Sequence, residues 1–427
     1  MIMGVVADDV TGSNDIGIMF AKGGCLTHVY EYSDDVDFLQ EADPQIVILD
    51  TNSRLDPPDV AYKKVYAATK LLQAKGCRQF HNKTCSVFRG NIGVEFDAML
   101  DALGLDFAVV VLGFPKNGRV TQDGIHYVHG KKLEESEFRS DPIHPMTRSN
   151  LVDILQSQTR RKVGMIGHEI VSLGASALRA QIQQLKNEYQ YVILDVVDQD
   201  ALATIAAAVY DEPVLCGSSA LAEELPQVWG VPVAGHEVLN LPHLENVGIL
   251  CVAGSLMPQT AAQIEHLHTK NIPDFELNAL EIFDPSSRTA EIDRLANTIS
   301  THLRAGSDAV FHSPNQPATV DATRALGLAC GFTKTEISRL VSETLAEVTA
   351  RVLSLSGQNR LVVAGGETSA AVCARLGVNG MRVWKEIQPG LPSCISLNEP
   401  PILLVLKSGS FGKADFFEKA LEHLRQQ

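Results

Sequence analysis

Short apolar runs recur along the chain, and most of them end in a polar or glycine-rich segment. We interpret the clearest runs as β-strands, at residues 2–7, 45–50, 107–113, 163–167, 191–196, 213–216, 247–253, 309–312, 361–364 and 402–406. Segments with helical spacing of apolar residues lie between them, at residues 14–22, 59–75, 178–187, 201–208, 257–269 and 333–355. This alternation predicts mainly parallel sheets covered by helices, which is the α/β class.

The length of the chain indicates more than one domain, because 427 residues exceed what a single hydrophobic core usually organises. Residues 226–245 contain Val231-Pro232 and Leu241-Pro242 and are the most plausible hinge. We therefore expect two α/β domains, at residues 1–235 and 246–427, with an active-site cleft between them.

Charge and composition narrow the partners, the location and the cysteine chemistry expected of the protein. The chain carries 36 Lys and Arg against 51 Asp and Glu, so a nucleic-acid or anionic-membrane partner is disfavoured. The first residues lack the pattern of a signal peptide, and no window of about 18 apolar residues is present, so a cytoplasmic location is expected. The eight cysteines form no C-x-x-C pair, which favours buried thiols over zinc ligands or disulfides.

Acidic and basic side chains follow the first two predicted strands. Asp8 and Asp9 end the first, with Asp15 one turn into the next helix. Because side chains alternate along a strand, we expect Asp8 and Asp9 to point to opposite sides, with only one facing a ligand. The alternative is that one of them merely caps the helix. Arg54 follows the second strand and either binds a substrate carboxylate or lies on the surface.

A loop at residues 82–91 combines cationic and hydroxyl side chains and ends near a glycine. Such a loop suits anion binding, although a solvated loop is the simpler alternative. Cys85 and Phe88 are apolar and lie in its middle, which indicates that the loop folds inward. The polar side chains of interest are Lys83, Thr84, Ser86 and Arg89.

Two glycine-rich turns follow strands in the second half. Gly365-Gly366 leads from a strand into a helix, and Lys407 begins a second turn that contains Gly409. Glycines let backbone N–H groups approach a ligand closely, and a helix N-terminus favours anions, so the two turns resemble walls of a nucleotide pocket. An ordinary strand-to-helix turn is the alternative. Residues 387–392 form a rigid turn that could line the same pocket.

Histidines at positions 126, 129 and 144 lie in an irregular or hairpin segment at residues 123–150. Their spacing matches no common ligand pattern, so a metal site there is not expected.

Four motifs occur in order along nearly the whole chain: DDVTG at 8–12, KTCSVFRG at 83–90, GGETS at 365–369 and KSGSFG at 407–412. In these four motifs and their order, the chain resembles the four-carbon acid sugar kinases. The resemblance implies ATP-dependent phosphorylation of the terminal hydroxyl of a tetronate, with the acid in the N-terminal domain and the nucleotide in the C-terminal one. D-threonate is the expected substrate, and 3-oxo-tetronate and D-erythronate are the alternatives.

Carried over by motif, the resemblance implies two sets of contacts. Those to the substrate come from Asp9, Arg54, Lys83, Thr84, Cys85 and Ser86. Those to ATP come from Ser255, Gly365, Gly366, Glu367, Thr368 and Gly409. The family's loop often carries an acidic residue and a threonine where this chain has Cys85 and Val87, so the carbon skeleton of the substrate is the least determined feature.

The residue types suit roles in phosphoryl transfer, which needs positioning and charge neutralisation. We expect Asp9 to accept the proton of the attacking hydroxyl, with Asp8 as the substitute. Arg54, Lys83 and Arg89 are expected to hold the substrate, while Mg²⁺, glycine N–H groups and Lys407 hold the triphosphate. A homodimer is left open.

Two other classes remain as alternatives. A nicotinamide dehydrogenase would need a G-x-G-x-x-G turn, which the sequence lacks. A non-catalytic sugar-acid-binding protein would usually work outside the cytosol.

Overall fold

The computed structural model describes residues 2–34, 36, 38, 44–141, 143–231 and 246–426. The chain divides into two compact units, Met1–Gly235 and His236–Gln427, which we call the N-terminal and C-terminal units. Of the predicted hinge at 226–245, residues 232–245 lie outside the described part of the chain. Across the described ranges, no helix combines the length and apolar character needed to cross a membrane.

The N-terminal unit alternates strands and helices as the apolar pattern predicts. Its strands are β1 Met3–Ala7, β2 Thr27–Glu31, β3 Ile46–Asp50, β4 Gln79–Lys83, β5 Ala108–Val111, β6 Arg119–Gln122, β7 Ile125–Val128, β8 Lys131–Lys132, β9 Val163–Ile166, β10 Tyr191–Leu194 and β11 Val214–Gly217. Its helices are α1 Val10–Lys22, α2 Pro58–Ala74, α3 Ile92–Leu103, α4 Leu151–Gln156, α5 His168–Val171, α6 Ala175–Leu185, α7 Gln199–Val209 and α8 Leu225–Trp229.

The main sheet of this unit has the strand order β2-β3-β1-β4-β11-β5-β10-β9, and all neighbouring strands in it are parallel. The chain changes direction across the sheet at β1. Strands β2 and β3 lie on one side of β1, and β4, the next strand in sequence, lies on its other side. Ligands of open parallel sheets bind at the carboxyl ends of the strands beside such a switch point. The strands β6, β7 and β8 form a separate antiparallel sheet, so the predicted excursion at 123–150 includes a hairpin.

The C-terminal unit repeats the alternation. Its strands are β12 Leu250–Ala253, β13 Asp274–Glu276, β14 Ala309–His312, β15 Arg360–Ala364, β16 Gly380–Gln388, β17 Leu391–Ser396 and β18 Leu403–Lys407. Its helices are α9 Pro258–Thr269, α10 Pro285–Arg304, α11 Pro317–Ala329, α12 Lys334–Ser356, α13 Gly366–Leu376 and α14 Phe416–Arg425. The order of these strands in the sheet is β13-β14-β12-β15-β18-β17-β16.

The neighbouring strands in β13-β14-β12-β15-β18 pair in parallel. Strand β17 is antiparallel to both β18 and β16. The prediction of an α/β fold with mainly parallel sheets is therefore confirmed in each unit. One interpretation changes: residues 387–392 are the tip of the β16–β17 hairpin and the adjoining strand ends. Neither strand could be predicted from its apolar pattern. β16 carries charged residues and is only partly buried, while β17 is buried but contains Pro392 and two serines that interrupt its apolar run.

The central strands of both sheets are enclosed. All residues of β1, β10, β15 and β18 are buried, as expected for parallel strands covered on both faces. Polar side chains therefore reach a ligand chiefly at the strand ends, and those ends define where a functional site can be built.

Candidate active site

Strand register in the N-terminal unit brings several polar segments to one edge of the sheet. Ala7 at the end of β1 is paired with Asp50 of β3 on one side and with Lys83 of β4 on the other. Lys83 is in turn paired with Gly217 of β11. The residues that follow these strands therefore leave the sheet side by side.

Asp8 and Asp9 both contact the guanidinium group of Arg54. Nε and Nη2 of Arg54 donate to the two oxygens of Asp8 at 2.8 and 2.7 Å, and Nη1 donates to Asp9 Oδ2 at 2.5 Å. The expectation that the two carboxylates point to opposite sides is therefore wrong. Strand β1 ends at Ala7, and the turn into α1 brings both carboxylates to the same arginine.

Asp9 also caps α1, so the alternative assignment of a helix cap holds as well. The Gly12 N–H donates to Asp9 Oδ1 at 2.7 Å, and the Thr11 hydroxyl donates to Asp9 Oδ2 at 3.0 Å. Burial raises the pKa of Asp9, but the charges of Arg54 and Lys83 and the Gly12 N–H outweigh burial. The net pKa lies below the ordinary value, so Asp9 is a carboxylate at neutral pH.

Lys83 forms a second charged contact at the same edge. Its side chain is buried, its Nζ donates to the carbonyl of Thr84 at 2.9 Å, and Nζ lies 3.6 Å from Asp15 Oδ2. The Ser219 hydroxyl donates to the same Asp15 oxygen at 2.5 Å. Burial raises the pKa of Asp15 to about 6 against the opposing effects of Lys83 and Ser219. Within the described residues, Asp15 Oδ1 has no hydrogen-bond partner.

The loop after β4 folds inward, as predicted, with Cys85 and Phe88 buried. Arg89 Nε donates to Cys85 Sγ at 3.3 Å, and Arg89 Nη1 donates to Asp141 Oδ2 at 2.7 Å. Burial raises the pKa of the Cys85 thiol, but the charges of Arg89 and Arg54 outweigh it and the net pKa is lowered. Ser86 is buried too, and its carbonyl lies 2.9 Å from His126 Nε2.

Most of these groups could be predicted from the sequence, but the hydrogen bond between Asp15 and Ser219 could not. Asp15 was predicted only as part of the acidic group at the first strand end, and no sequence pattern marks Ser219. Ser219 follows β11 and is 204 positions from Asp15 in sequence, so only the strand order shows that they meet.

In the C-terminal unit three strand ends align in the same way. Ala364 at the end of β15 is paired with Ala253 of β12 and with Lys407 of β18. The predicted ATP contacts therefore leave neighbouring strands at one edge. These are Ser255 after β12, Gly365, Gly366, Glu367 and Thr368 after β15, and Gly409 after β18.

The three turns are closely packed. A Cβ atom added to Gly409 would lie 1.9 Å from Ser255 Oγ, and one added to Gly365 would lie 3.3 Å from the Ser255 nitrogen. Gly365 has a φ of 116°, a conformation that glycine adopts readily. A Cβ atom on Gly254 would lie 2.0 Å from Thr368 Oγ1. The structure thus brings Ser255, Gly365, Thr368 and Gly409 together.

The N-terminus of α13 lies at this cluster and suits phosphate binding. Its N-cap, Gly365, provides no side-chain hydrogen bond to the helix, so the first N–H groups depend on other acceptors. Such groups, with the helix dipole, favour an anion. Glu367 in the first turn accepts from the Ser338 hydroxyl at 2.6 Å, and burial raises its pKa.

Lys407, also predicted to contact the nucleotide, lies beneath the turn. Its side chain is completely buried, and Nζ donates to Thr260 Oγ1 at 2.9 Å and to the carbonyl of Gly409 at 3.3 Å. Burial lowers the pKa of Lys407 to about 7.

Nothing in the described ranges resembles a metal centre made by side chains alone. No group of three or more His, Cys, Asp or Glu residues there could hold a metal ion. One strand edge presents carboxylates and cations, and the other presents backbone N–H groups of a helix N-terminus, which favour phosphates.

Comparison with known proteins identifies the chain's family. Residues 3–225 match the family described as a sugar-binding N-terminal domain, and residues 250–417 match the one described as a nucleotide-binding C-terminal domain. The 3-oxo-tetronate kinase of Cupriavidus necator is 34% identical, over 99% of this chain and 97% of that protein. The 3-oxo-tetronate kinase of Pseudomonas fluorescens is 33% identical, with the same coverage.

A solved structure from Salmonella typhimurium shares the fold. It superposes with a TM-score of 0.82 at 28% identity and covers 99% of both chains. Family matches to both halves and full-length relatives above 30% identity point to one conclusion. The chain belongs to the four-carbon acid sugar kinase family, whose members are ATP-dependent kinases of sugar acids.

Proposed function

We propose that the protein transfers the γ-phosphoryl group of ATP to the C4 hydroxyl of a four-carbon sugar acid. The observation that carries this proposal is the meeting of Ser255, Gly365 and Gly409 at the ends of three aligned strands, beside the uncapped N-terminus of α13. This arrangement fits a polyphosphate. We assign the nucleotide to the predicted domain 246–427 and the sugar acid to the predicted domain 1–235, in line with the descriptions of the matching families.

The carbon skeleton of the acid is inferred from relatives. The relatives from Cupriavidus necator and Pseudomonas fluorescens, which match over nearly their whole length, are named 3-oxo-tetronate kinases, and this favours 3-oxo-tetronate. D-threonate, the substrate expected from the sequence, and D-erythronate remain candidates. The cytoplasmic location and the homodimer also remain predictions.

In the proposed reaction the acid is held by Arg54, Lys83 and Arg89, with hydroxyl and thiol groups of Thr84, Cys85 and Ser86 around it. The attacking C4 hydroxyl loses its proton to Asp9 as its oxygen bonds to the γ-phosphorus. The bond between that phosphorus and the bridging oxygen breaks, which releases ADP. Because the pKa of Asp9 is lowered, the carboxylate is ready to accept throughout the neutral range.

Mg²⁺ is proposed as the cation that accompanies ATP. Since the described residues provide no ready-made set of three ligands, phosphate oxygens and water would supply most of its coordination. When bound, the ion neutralises phosphate charge. Glu367 is the acidic side chain of the predicted nucleotide set, but its bond to Ser338 argues for a structural role.

The substrate assignment is tested by coupled ADP release with 3-oxo-tetronate, D-threonate and D-erythronate. We expect acid-dependent ADP formation, with kcat/KM for 3-oxo-tetronate at least about tenfold above that for the other two, equivalent to about 1.4 kcal/mol. A higher value for D-threonate would restore the sequence-based assignment. No ADP formation with any of the three would contradict the proposed reaction.

The assignment of the base is tested by Asp9→Asn. Asparagine caps helices as well as aspartate does, so α1 should persist. Loss of the proton acceptor should lower kcat by about 100-fold or more. Asp8→Asn is the matched control, because it also weakens a bond to Arg54 but leaves Asp9 in place, and it should chiefly raise KM for the acid. If Asp8→Asn lost kcat while Asp9→Asn kept it, the roles would be reversed.

A third variant, Asp15→Asn, separates function from stability. The pKa of Asp15 is raised from 3.8 to about 6, so keeping it ionised near pH 7 costs the folded state up to roughly 3 kcal/mol. This cost shrinks as the pH falls through 6, where the folded state takes up the proton first. The variant lacks this titration but leaves the buried Lys83 without its nearest carboxylate, so its unfolding temperature should differ less between pH 5 and pH 7.5 than that of the wild type.

Because Asp15 is the charged partner of Lys83, the same variant should lower kcat/KM for the sugar acid by about tenfold or more. Thermal unfolding at pH 5 and pH 7.5 and steady-state kinetics measure the two effects. A variant with full activity and the same pH dependence of stability as the wild type would contradict this role.

A further inference from the structure

Lys407 is a fully buried cation whose described surroundings contain no carboxylate partner. Its ammonium group contacts the Thr260 hydroxyl and the Gly409 carbonyl and lies 5.7 Å from the centre of the Phe417 ring. Burial of an unpaired charge is costly, and such a group usually either acquires a partner or loses its proton.

Charged groups on the neighbouring helices are engaged elsewhere. Glu418 of α14 binds both His266 and Lys270 from the α9 side at 2.7 Å, and Asp415 binds Lys419 at 2.7 Å. Burial lowers the pKa of Lys407, and no charged group in the described part of the chain contributes to this shift. Among the described residues, no carboxylate balances the charge of Lys407, so a bound anion could do so.

The hydrogen bonds of Lys407 indicate where such an anion would bind. The Gly409 carbonyl accepts from Lys407 Nζ and, at 2.8 Å, from the Thr260 hydroxyl, so the peptide between Gly409 and Ser410 is fixed from below. In a trans peptide the N–H points opposite to the C=O, so the Ser410 N–H points away from Lys407. Within the described ranges, that N–H has no hydrogen-bond acceptor.

The turn at Gly409 packs closely against Ser255, which is one of the predicted nucleotide contacts. Gly409 lies so close to Ser255 that a Cβ atom would come within 1.9 Å of the Ser255 hydroxyl. A phosphate at this turn would accept from free N–H groups while the buried ammonium lies on the other side of the fixed peptide.

We propose that Lys407 is a positioning residue that fixes the Gly409 turn for the nucleotide phosphates, and that the enzyme takes up a proton on Lys407 when the nucleotide binds. This inference rests on the proposed nucleotide site. Negative phosphates near the buried amine favour its charged form, and by linkage the charged form favours the nucleotide. The proton comes from solvent and is released again when the nucleotide leaves.

The pH range follows from the lowered pKa. Near pH 8 most Lys407 side chains in the free enzyme are neutral, whereas those in the complex are charged. Uptake should therefore approach about one proton per nucleotide at that pH. Affinity for the nucleotide should weaken as the pH rises above 7, because each binding event must then draw a proton from solvent.

Titration calorimetry of ADP with the full-length protein at pH 8, in buffers of different ionisation enthalpy, measures this uptake. Wild type should take up close to one proton per ADP. Lys407→Arg should bind ADP with no uptake, because arginine is already charged in the free enzyme. Lys407→Met should show no uptake and about tenfold weaker binding. Lys413→Met, which removes an exposed lysine from the same segment, is the control and should behave as wild type.

Kinetics give a second readout. The KM for ATP of the wild type should rise between pH 7 and pH 9, while that of Lys407→Arg stays level and kcat changes little in both. ADP binding to wild type without proton uptake, or with the same uptake in Lys407→Arg, would overturn the role of Lys407 and leave the proposed function intact. Failure of ADP to bind wild type would overturn both. If Lys407→Met does not fold, Lys407→Arg carries the test.

Discussion

Parallel strand register is the constraint on which both candidate sites depend. In the N-terminal unit it aligns Asp50, Ala7, Lys83 and Gly217, so that the polar segments after four strands emerge together. In the C-terminal unit it aligns the ends of β12, β15 and β18. Slipping one strand by a single residue would turn its side chains to the opposite face and would separate these groups. The chemistry is therefore specified by the buried pairing of apolar strands.

The charged groups at the two edges illustrate different solutions to burial. Asp8 and Asp9 share the guanidinium group of Arg54 through short hydrogen bonds. Asp15 and Lys83 are paired less closely, and the partners of Lys407 among the described residues are neutral. Replacing such groups by apolar ones would often cost little stability, so their presence is better explained by function than by folding. Groups fixed before the substrates bind need little reorganisation during the reaction.

Much of this arrangement could be predicted from the sequence, because its signals are local. Apolar runs located ten of the strands, whereas strands with mixed or polar sequences, such as β16, were not found. Gly365-Gly366 and Gly409 marked turns that the structure places together. Features that depend on tertiary structure could not be found in this way. The opposite orientation expected for Asp8 and Asp9 was wrong because β1 ends at Ala7, so both residues lie in the turn into α1, where strand alternation does not apply. The depth of Lys407 follows from the helices α9 and α14 that cover it, which no local pattern reveals.

The central claim is that two separate strand edges serve two different ligands, and hydrogen–deuterium exchange with each ligand alone tests it most directly. ADP should slow exchange in the turns at 254–257, 365–369 and 408–411 and leave the N-terminal unit unchanged. 3-Oxo-tetronate should slow exchange at 8–12, 51–54 and 83–89. If both ligands protected the same segments, or if ADP protected only the N-terminal set, the division between the two edges would be wrong.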